Sequence, residues 1–216
     1  MKEIKKELLS LGYSEEEASE IINNYSIKKL RSETLLKKLH KNMNYLKSIG
    51  YSQEEVIKMT KVLPAIYSYS IENIKQKIED MKELGYSQEE VIKMTKVLPS
   101  IYGLSIENIK QKIEFYNSIG LHKLPVILPK YLMQSTALSY ARYMFYKDKG
   151  ITIDETNMRK LFIDQKNFEK QYGFKKQELL ERYDYKEYMS QKNSQEAGKK
   201  TVAVTVGTAQ SDDDAR

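Results

Sequence analysis

The sequence predicts an all-α protein, built as a helical-repeat solenoid with a C-terminal helical cap, and three observations support this fold class. The segment YSQEEVIKMTKVLP occurs unchanged at residues 51–64 and 86–99. The blocks that begin there, 51–85 and 86–120, align over 35 positions without a gap and differ at eight of them. Apolar residues in both blocks recur at helical spacing, and short amphipathic helices of this kind bury their apolar faces by stacking on neighbouring copies.

The first helix of each block has a predicted start and end. Ser52 is a candidate N-cap, and Glu55 follows it by three residues, which is the spacing of a capping box. Tyr51 and Val56 flank this start as a predicted hydrophobic staple. Pro64 ends the helix because proline cannot continue it. The same arrangement recurs in the second block and, more weakly, near the N-terminus: Tyr86, Ser87, Glu90 and Val91, then Tyr13, Ser14, Glu17 and Ala18.

A second helix follows a short irregular or single-turn segment at residues 65–69. Ser70 is its predicted N-cap, and Gly85 is its predicted left-handed stop. Its apolar residues fall on one face at helical spacing: Ile71, Ile74, Ile78 and Met81. One block therefore offers two amphipathic helices, and the wall against which each packs is the next block.

The rest of the chain extends this array. The repeats are predicted to cover residues 1–150, in units of about 1–50, 51–85, 86–120 and 121–150. Residues 151–192 read as a helical cap of two or three short helices, with Asp154 and Asp164 as candidate N-caps. Within residues 193–216, valines alternate as in a strand over 202–206, but no other strand is predicted to pair with them. We expect this tail to be disordered.

The residues that carry a family resemblance are those of 84–120, LGYSQEEVIKMTKVLPSIYGLSIENIKQKIEFYNSIG. Here one helix ends in Leu-Pro, a short turn carries Ser-x-Glu-Asn, and a second helix ends in Gly. The pattern resembles the repeat of the mitochondrial transcription termination factor (mTERF) family, over roughly residues 8–150. The resemblance implies a superhelix with three helices per unit, the small one held or preceded by AIYSY and IYGL, and a concave groove that commonly binds double-stranded nucleic acid. The chain looks like a short bacterial-type relative.

Composition limits the chemistry that the chain can perform. It has 216 residues, a net charge of +6 and no cysteine, which rules out disulfides and thiolate metal sites and favours a reducing, cytoplasmic setting. The glutamate-rich start, MKEIKKELLSLGYSEEE, is unlike a secretory signal or an organelle presequence. His40 and His122 lie in different units, and no glycine-rich phosphate loop is present. We therefore expect no cofactor, no metal and no enzymatic activity.

Positive charge is concentrated on both sides of the two near-identical blocks. Residues 23–50 hold seven Lys or Arg against one acidic residue, whereas 51–85 and 86–120 sum to −1 and 0. Residues 121–192 then have fourteen basic and nine acidic residues. Clustered basic charge is the electrostatic signature of nucleic-acid binding. The sequence therefore predicts phosphate contacts at the ends of the array rather than in its middle.

The N-terminal candidates for these contacts lie in and before one amphipathic helix. They are Lys28, Lys29, Arg31, Lys37 and Lys41. Lys37 and Lys41 lie opposite the apolar face of that helix. The group forms either an ordinary solvated face or a ridge that contacts phosphates, and both interpretations remain open.

The C-terminal candidates combine cations with an aromatic ring: Lys130, Arg142, Tyr143, Lys147, Lys175 and Lys176. Rings can stack on bases and sugars while Lys and Arg pair with phosphates. The alternative is that the aromatic residues of 140–146 form the bulky core of an end cap. Phe115 replaces Asp80 of the preceding copy on a face predicted to be exposed, so we expect the C-terminal segment to cover it.

Together these features predict a non-enzymatic protein that binds double-stranded DNA or RNA through basic residues of its concave groove. An alternative is a protein-interaction scaffold, or an accessory subunit of a ribonucleoprotein with a protein partner. We expect a monomer without membrane association. DNA and RNA are not distinguished because a cationic groove accepts the backbone of either.

Overall fold

The structure is a computed structural model that describes residues 2–191 and Ser194, so the predicted tail lies outside the described residues apart from Ser194. The described residues form α-helices and 3₁₀ helices and contain no strand. Each repeat unit has a first helix, a short middle helix and a third helix. These observations confirm the all-α helical-repeat prediction.

The first three units follow one plan. Helix α1 (Lys2–Ser10) precedes them, and unit A (13–50) contains α2 (Glu15–Asn23), α3 (Tyr25–Lys28) and α4 (Ser32–Ser48). Unit B (51–85) contains α5 (Gln53–Val62), a 3₁₀ helix (Pro64–Ser68) and α6 (Ile71–Glu83). Unit C (86–120) contains α7 (Gln88–Val97), a 3₁₀ helix (Pro99–Gly103) and α8 (Ile106–Ser118). The short middle helix agrees with the three-helix unit that the family resemblance implies.

The last unit and the cap are shorter variations. Unit D (121–150) contains α9 (Leu124–Ile127), a 3₁₀ helix (Pro129–Met133) and α10 (Thr136–Asp148). The cap that follows contains a 3₁₀ helix (Met158–Phe162), α11 (Gln165–Tyr172) and α12 (Lys176–Arg182). Because α9 has only four residues, unit D lacks most of the first helix that units B and C possess.

The predicted capping boxes are present at the start of the first helices. In unit B the amide of Glu55 donates to Ser52 Oγ at 3.2 Å, and the amide of Ser52 donates to Glu55 Oε2 at 2.8 Å. Equivalent boxes begin α2 and α7. Each box satisfies two amides that a helix start leaves without an intrahelical partner.

Glycine ends every repeat unit in a left-handed conformation. The amide of Gly85, at φ +94°, donates to Lys82 O at 2.9 Å, and the amide of Tyr86 donates to Met81 O at 3.3 Å. This pair of bonds is a Schellman motif, which closes the exposed carbonyls of the helix end. The same pair of bonds occurs at Gly12, Gly50, Gly120 and Gly150. A side chain at these positions would be strained because φ is positive.

The residue after the glycine is the first residue of the next unit. In units A and B this residue is a tyrosine whose hydroxyl bonds to the unit that follows. The hydroxyl of Tyr51 in unit B contacts the hydroxyls of Thr95 and, at 2.9 Å, Tyr102 in unit C. Thr95 donates its own hydrogen to Val91 O at 2.8 Å, so Tyr51 donates to Thr95 and accepts from Tyr102. Tyr13 makes the same contacts one unit earlier, with Thr60 and Tyr67. Burial raises the pKa of Tyr67 and Tyr102, which therefore remain neutral donors.

A polar side chain on each third helix makes a second type of joint, and it always stands eight residues before the terminal glycine. In unit A, Asn42 Nδ2 donates to Ile66 O at 2.8 Å and to Tyr69 O at 3.1 Å. In unit B, Lys77 Nζ donates to Leu104 O at 2.7 Å, and in unit C, Lys112 Nζ donates to Leu132 O. Each donor thus reaches backbone carbonyls in or just after the middle helix of the following unit.

The described chain divides into two compact bodies, one up to Met133 and one from Gln134 onward. The division falls inside unit D, between its middle helix and its third helix. Lys112 ties Leu132 to the units before it, whereas Gln134 Nε2 donates to Leu161 O at 3.1 Å in the cap. The middle helix of a unit is therefore bonded backwards along the chain and its third helix forwards.

Phe115 is buried, as its apolar character at this position predicts, and its ring lies 5.4 Å from that of Tyr116. Phe115 is therefore covered, although it lies on a face of α8 that the repeat pattern predicts to be exposed. That the C-terminal segment provides the cover stays a prediction.

Removing the Tyr51 hydroxyl tests the joint between units B and C. Tyr51→Phe leaves Tyr102 without its acceptor and Thr95 without a donor, so we expect a loss of about 1–3 kcal/mol in the free energy of unfolding. Urea denaturation of the two proteins would measure it.

Tyr86→Phe is the matched control. Tyr86 is also buried, but the positions equivalent to Thr95 and Tyr102 hold Pro125 and Leu132 in unit D, and within residues 2–191 its hydroxyl has no hydrogen-bond partner. Its removal should change stability by less than about 0.5 kcal/mol. Equal losses in the two variants would show that the hydroxyl cluster does not stabilise the joint.

Candidate nucleic-acid interface

Three candidate cations lie side by side where α3 passes into α4. Lys28, Lys29 and Arg31 are all exposed. Arg31 is the N-cap residue of α4, and its side chain makes no capping bond. The positive end of the dipole of this long helix therefore adds to the charge of the three side chains. This segment is a local concentration of positive potential.

The two candidates on α4 itself differ in their surroundings. Lys37 Nζ lies 2.7 Å from Glu33 Oε1 on the same helix, so its charge is largely compensated. Lys41 is exposed and, among the residues that the structure describes, forms no ion pair. The pKa of Glu72 is lowered first by a backbone amide and, among the charges around it, most by Lys41. Lys41 therefore adds positive potential to the adjoining surface of unit B.

Three lysines, one each in units B, C and D, join their unit to the preceding one. Lys96 Nζ lies 2.9 Å from Glu55 Oε1, and Lys123 Nζ lies 2.7 Å from Glu90 Oε1. Lys61 binds Glu17 in the same way. Each acceptor is the capping-box glutamate of the preceding unit, and its pKa is lowered, first by the lysine and then by the amide of the cap serine. These cations are compensated within the array.

Most candidates in the C-terminal half are exposed. Lys130 lies on the 3₁₀ helix of unit D, Lys147 lies near the end of α10, and Lys175 and Lys176 stand at the start of α12. Tyr143 is half-buried and has other contacts, so its ring is only partly available. Phe145 and Tyr146 are buried, which favours the end-cap interpretation of these two rings.

Arg142 is the candidate that the structure removes from the interface. Its side chain is only 1% exposed. Its Nη1 donates to Leu161 O at 3.0 Å, its Nη2 donates to Gln165 Oε1 at 3.1 Å, and its guanidinium lies 5.0 Å from the centre of the Phe168 ring. Burial lowers its pKa. A side chain held in this way cannot reach a phosphate in the folded chain.

The position of Arg142 in the repeat explains its burial. It stands eight residues before Gly150, as Lys112 stands eight before Gly120, and it likewise donates to a carbonyl of the next middle helix. The aromatic residues around it suggested a nucleic-acid site, but the repeat register was the stronger signal. Aligning the terminal glycines would have revealed a polar residue at one constant position within the apolar stripe.

Two further properties bound the chemistry of the described residues. Nowhere in residues 2–191 do three or more His, Asp or Glu side chains come together in a way that could hold a metal ion. None of the described helices is both long enough and apolar enough to cross a bilayer.

Replacing Arg142 tests its structural role. Arg142→Met keeps an unbranched apolar chain but leaves Gln165 Oε1 without its donor and Leu161 O with only the bond from Gln134 Nε2. We therefore expect a loss of about 1–3 kcal/mol in the free energy of unfolding. Lys147→Met, on the exposed side of the same helix, should cost less than about 0.5 kcal/mol. Thermal unfolding of both variants would decide, and an unaffected Arg142→Met protein would contradict the assignment.

Comparison with known proteins adds the family. A search of curated protein sequences found no match to the chain. The profile of the mTERF family matches residues 10–169, which covers the four repeat units and the first part of the cap. Members of that family are generally non-enzymatic, nucleic-acid-binding helical-repeat proteins. Since the match covers well over half of the sequence and its repeats have the expected three-helix form, the chain belongs to the mTERF family.

Proposed function

We propose that the chain binds nucleic acid without catalysing a reaction, and that it does so through Lys and Arg residues towards the two ends of the array. The observation that carries this proposal is the set of exposed cations without an ion pair in unit A and in the C-terminal half. Lys61, Lys96 and Lys123 bind glutamates of the preceding units and have little charge left to offer a ligand, whereas Lys58 and Lys93 are exposed and form no ion pair with any described residue.

Towards the ends, several exposed cations lie outside such ion pairs. Lys28, Arg31 and Lys41 in unit A form no ion pair with any described residue, and the same is true of Lys130, Lys147, Lys175 and Lys176. Exposed Lys and Arg side chains bind phosphates by releasing condensed counterions, which needs no particular base sequence. The proposed contacts are therefore with the sugar-phosphate backbone of duplex DNA or RNA, along the concave groove that the family resemblance implies.

The proposed binding should depend strongly on salt. If about six phosphates are neutralised, affinity for a duplex should fall roughly a thousandfold between about 50 and 200 mM salt. Fluorescence anisotropy with labelled DNA and RNA duplexes would measure this, and an affinity that does not depend on salt would rule the proposal out.

Neutralising the unit A cations tests their part in the site. In the variant Lys28→Gln, Arg31→Gln, Lys41→Gln, three phosphate contacts are lost, so the slope of log affinity against log salt should fall by about 2.7 for a DNA duplex. Salt titrations of wild type and variant would give the two slopes.

The chain offers a control with the same change in net charge. The variant Lys61→Gln, Lys96→Gln, Lys123→Gln removes three cations that are bound to glutamates, and its salt slope should not fall. If the two triple variants lose affinity and slope equally, net charge alone governs binding and unit A is not a specific contact.

A second candidate function has its own supporting observation. Val62, Val97 and Ile127 are 68%, 50% and 48% exposed, and each stands directly before the Leu-Pro that ends the first helix of its unit. Apolar side chains exposed at one repeated position are typical of a surface that binds protein. The alternative is thus a protein-interaction scaffold, or a subunit of a ribonucleoprotein in which RNA contacts the cations and a protein contacts these residues.

Crosslinking in the native cells separates the two functions. Ultraviolet crosslinking should recover nucleic acid with the wild-type chain and less of it with the unit A variant, because phosphate contacts hold the complex. A variant with Val62→Ser, Val97→Ser and Ile127→Ser should retain the nucleic acid. Loss of nucleic acid in the serine variant alone would favour recruitment through a protein partner.

A further inference from the structure

The C-terminal body contains an open concavity of about 560 Å³ between α10 and α12. Ala137 of α10, Leu180 of α12 and Tyr185 contribute apolar surface to its lining, and four charged side chains also line it: Lys176, Glu181, Asp184 and Lys186. The volume lies within the range of small-ligand sites, which combine apolar walls with a few polar groups. None of the contacts described for the repeat units uses this concavity.

The ring of Tyr185 is held in place by two other tyrosines. Its centre lies 5.4 Å from that of Tyr140 and 6.1 Å from that of Tyr188, and Tyr140 and Tyr188 stack on each other at 4.7 Å. Of the three rings, Tyr185 alone lines the concavity. A ring that its neighbours already orient loses little conformational freedom when a ligand stacks on it.

The two acidic and two basic side chains of the lining balance in charge, but they differ in their hydrogen bonds and in their reach. Glu181 accepts a hydrogen bond from Gln177 Nε2 at 2.9 Å, and Asp184 Oδ1 accepts from the backbone amide of Lys186 at 2.7 Å. Lys176 and Lys186 are exposed and form no ion pair within the part of the chain that the structure describes. Their flexible four-carbon side chains can carry the ammonium groups beyond the carboxylates, out to a bound anion.

We infer that this concavity binds one unpaired nucleotide of a single strand, with its base stacked on the ring of Tyr185 and its flanking phosphates paired with Lys176 and Lys186. The ligand combines a flat aromatic ring with negative charge, and the concavity offers an oriented ring, apolar surface and two lysines without an ion pair that can reach past the carboxylates. A base held in a duplex is stacked and paired and cannot enter, so the site favours single strands. This inference rests on the proposed nucleic-acid-binding function and adds a ligand form that the repeat surface does not select.

The test compares ring variants of the full chain on a single-stranded oligonucleotide and on a duplex. The probe is a labelled oligothymidylate of about 12 nucleotides, within the usual site size of single-strand binders. Tyr185→Leu keeps an apolar side chain but loses the stacking surface, so affinity for the oligothymidylate should fall by about 5- to 100-fold. Affinity for a duplex of the same length should not change. Tyr185→Phe, which keeps the ring, should bind both probes like the wild type.

The lysines have a separate readout. Lys176→Gln with Lys186→Gln removes two phosphate contacts, so the salt slope for the oligothymidylate should fall by about 1.4. Thermal unfolding of each variant checks that the fold is retained. Affinities are compared between variants that melt like the wild type.

The outcomes separate this inference from the proposed function. If the duplex binds and Tyr185→Leu binds the oligothymidylate like the wild type, the nucleotide site is wrong while backbone binding stands, and the concavity would instead suit a side chain of a protein partner. An equal loss in Tyr185→Phe also overturns the inference, because the hydroxyl rather than the ring would then matter. A wild-type chain that binds neither probe overturns both.

Discussion

The bond between a polar side chain on one third helix and the backbone of the next unit, in or just after its middle helix, is the interaction on which this repeat array depends. Short amphipathic helices bury their apolar faces only against a neighbour, but apolar packing alone does not fix the register between units. Lys112 is buried and donates to Leu132 O, and leaving either group unpaired in the interior is costly. The bond therefore selects one arrangement of two adjacent units.

The donor changes identity along the chain while its task stays the same. Asn42 reaches two carbonyls of unit B, Lys112 reaches one of unit D, and Arg142 reaches one of the cap and also binds Gln165. The longer side chains occur at the later joints. Tyr13 and Tyr51 reinforce the first two joints with buried hydroxyl clusters, whereas the joint after unit C relies on Lys112 and on the pair of Lys123 with Glu90.

This construction decides where a polyanion could bind. Cations that hold units together are compensated by glutamates or carbonyls and contribute little to an external field. Exposed lysines and arginines outside such ion pairs are the groups available to phosphates, and Lys28, Arg31 and Lys41 are three of them in unit A. Our proposed function and the proposed nucleotide site in the C-terminal body follow from this division between structural and available charge.

The sequence by itself determined the repeat, the capping boxes and the glycine stops, because each is set by residues a few positions apart. Ser52 with Glu55, or Gly85 after its helix, needs no distant partner to be recognised. One candidate contact, Arg142, was predicted wrongly, since composition cannot tell which cations face solvent, and the other contacts stay predictions. Only the tertiary structure decided that Arg142 bonds to Leu161 in the interior and that Lys96 binds Glu55, because those partners are brought together by stacking whole units.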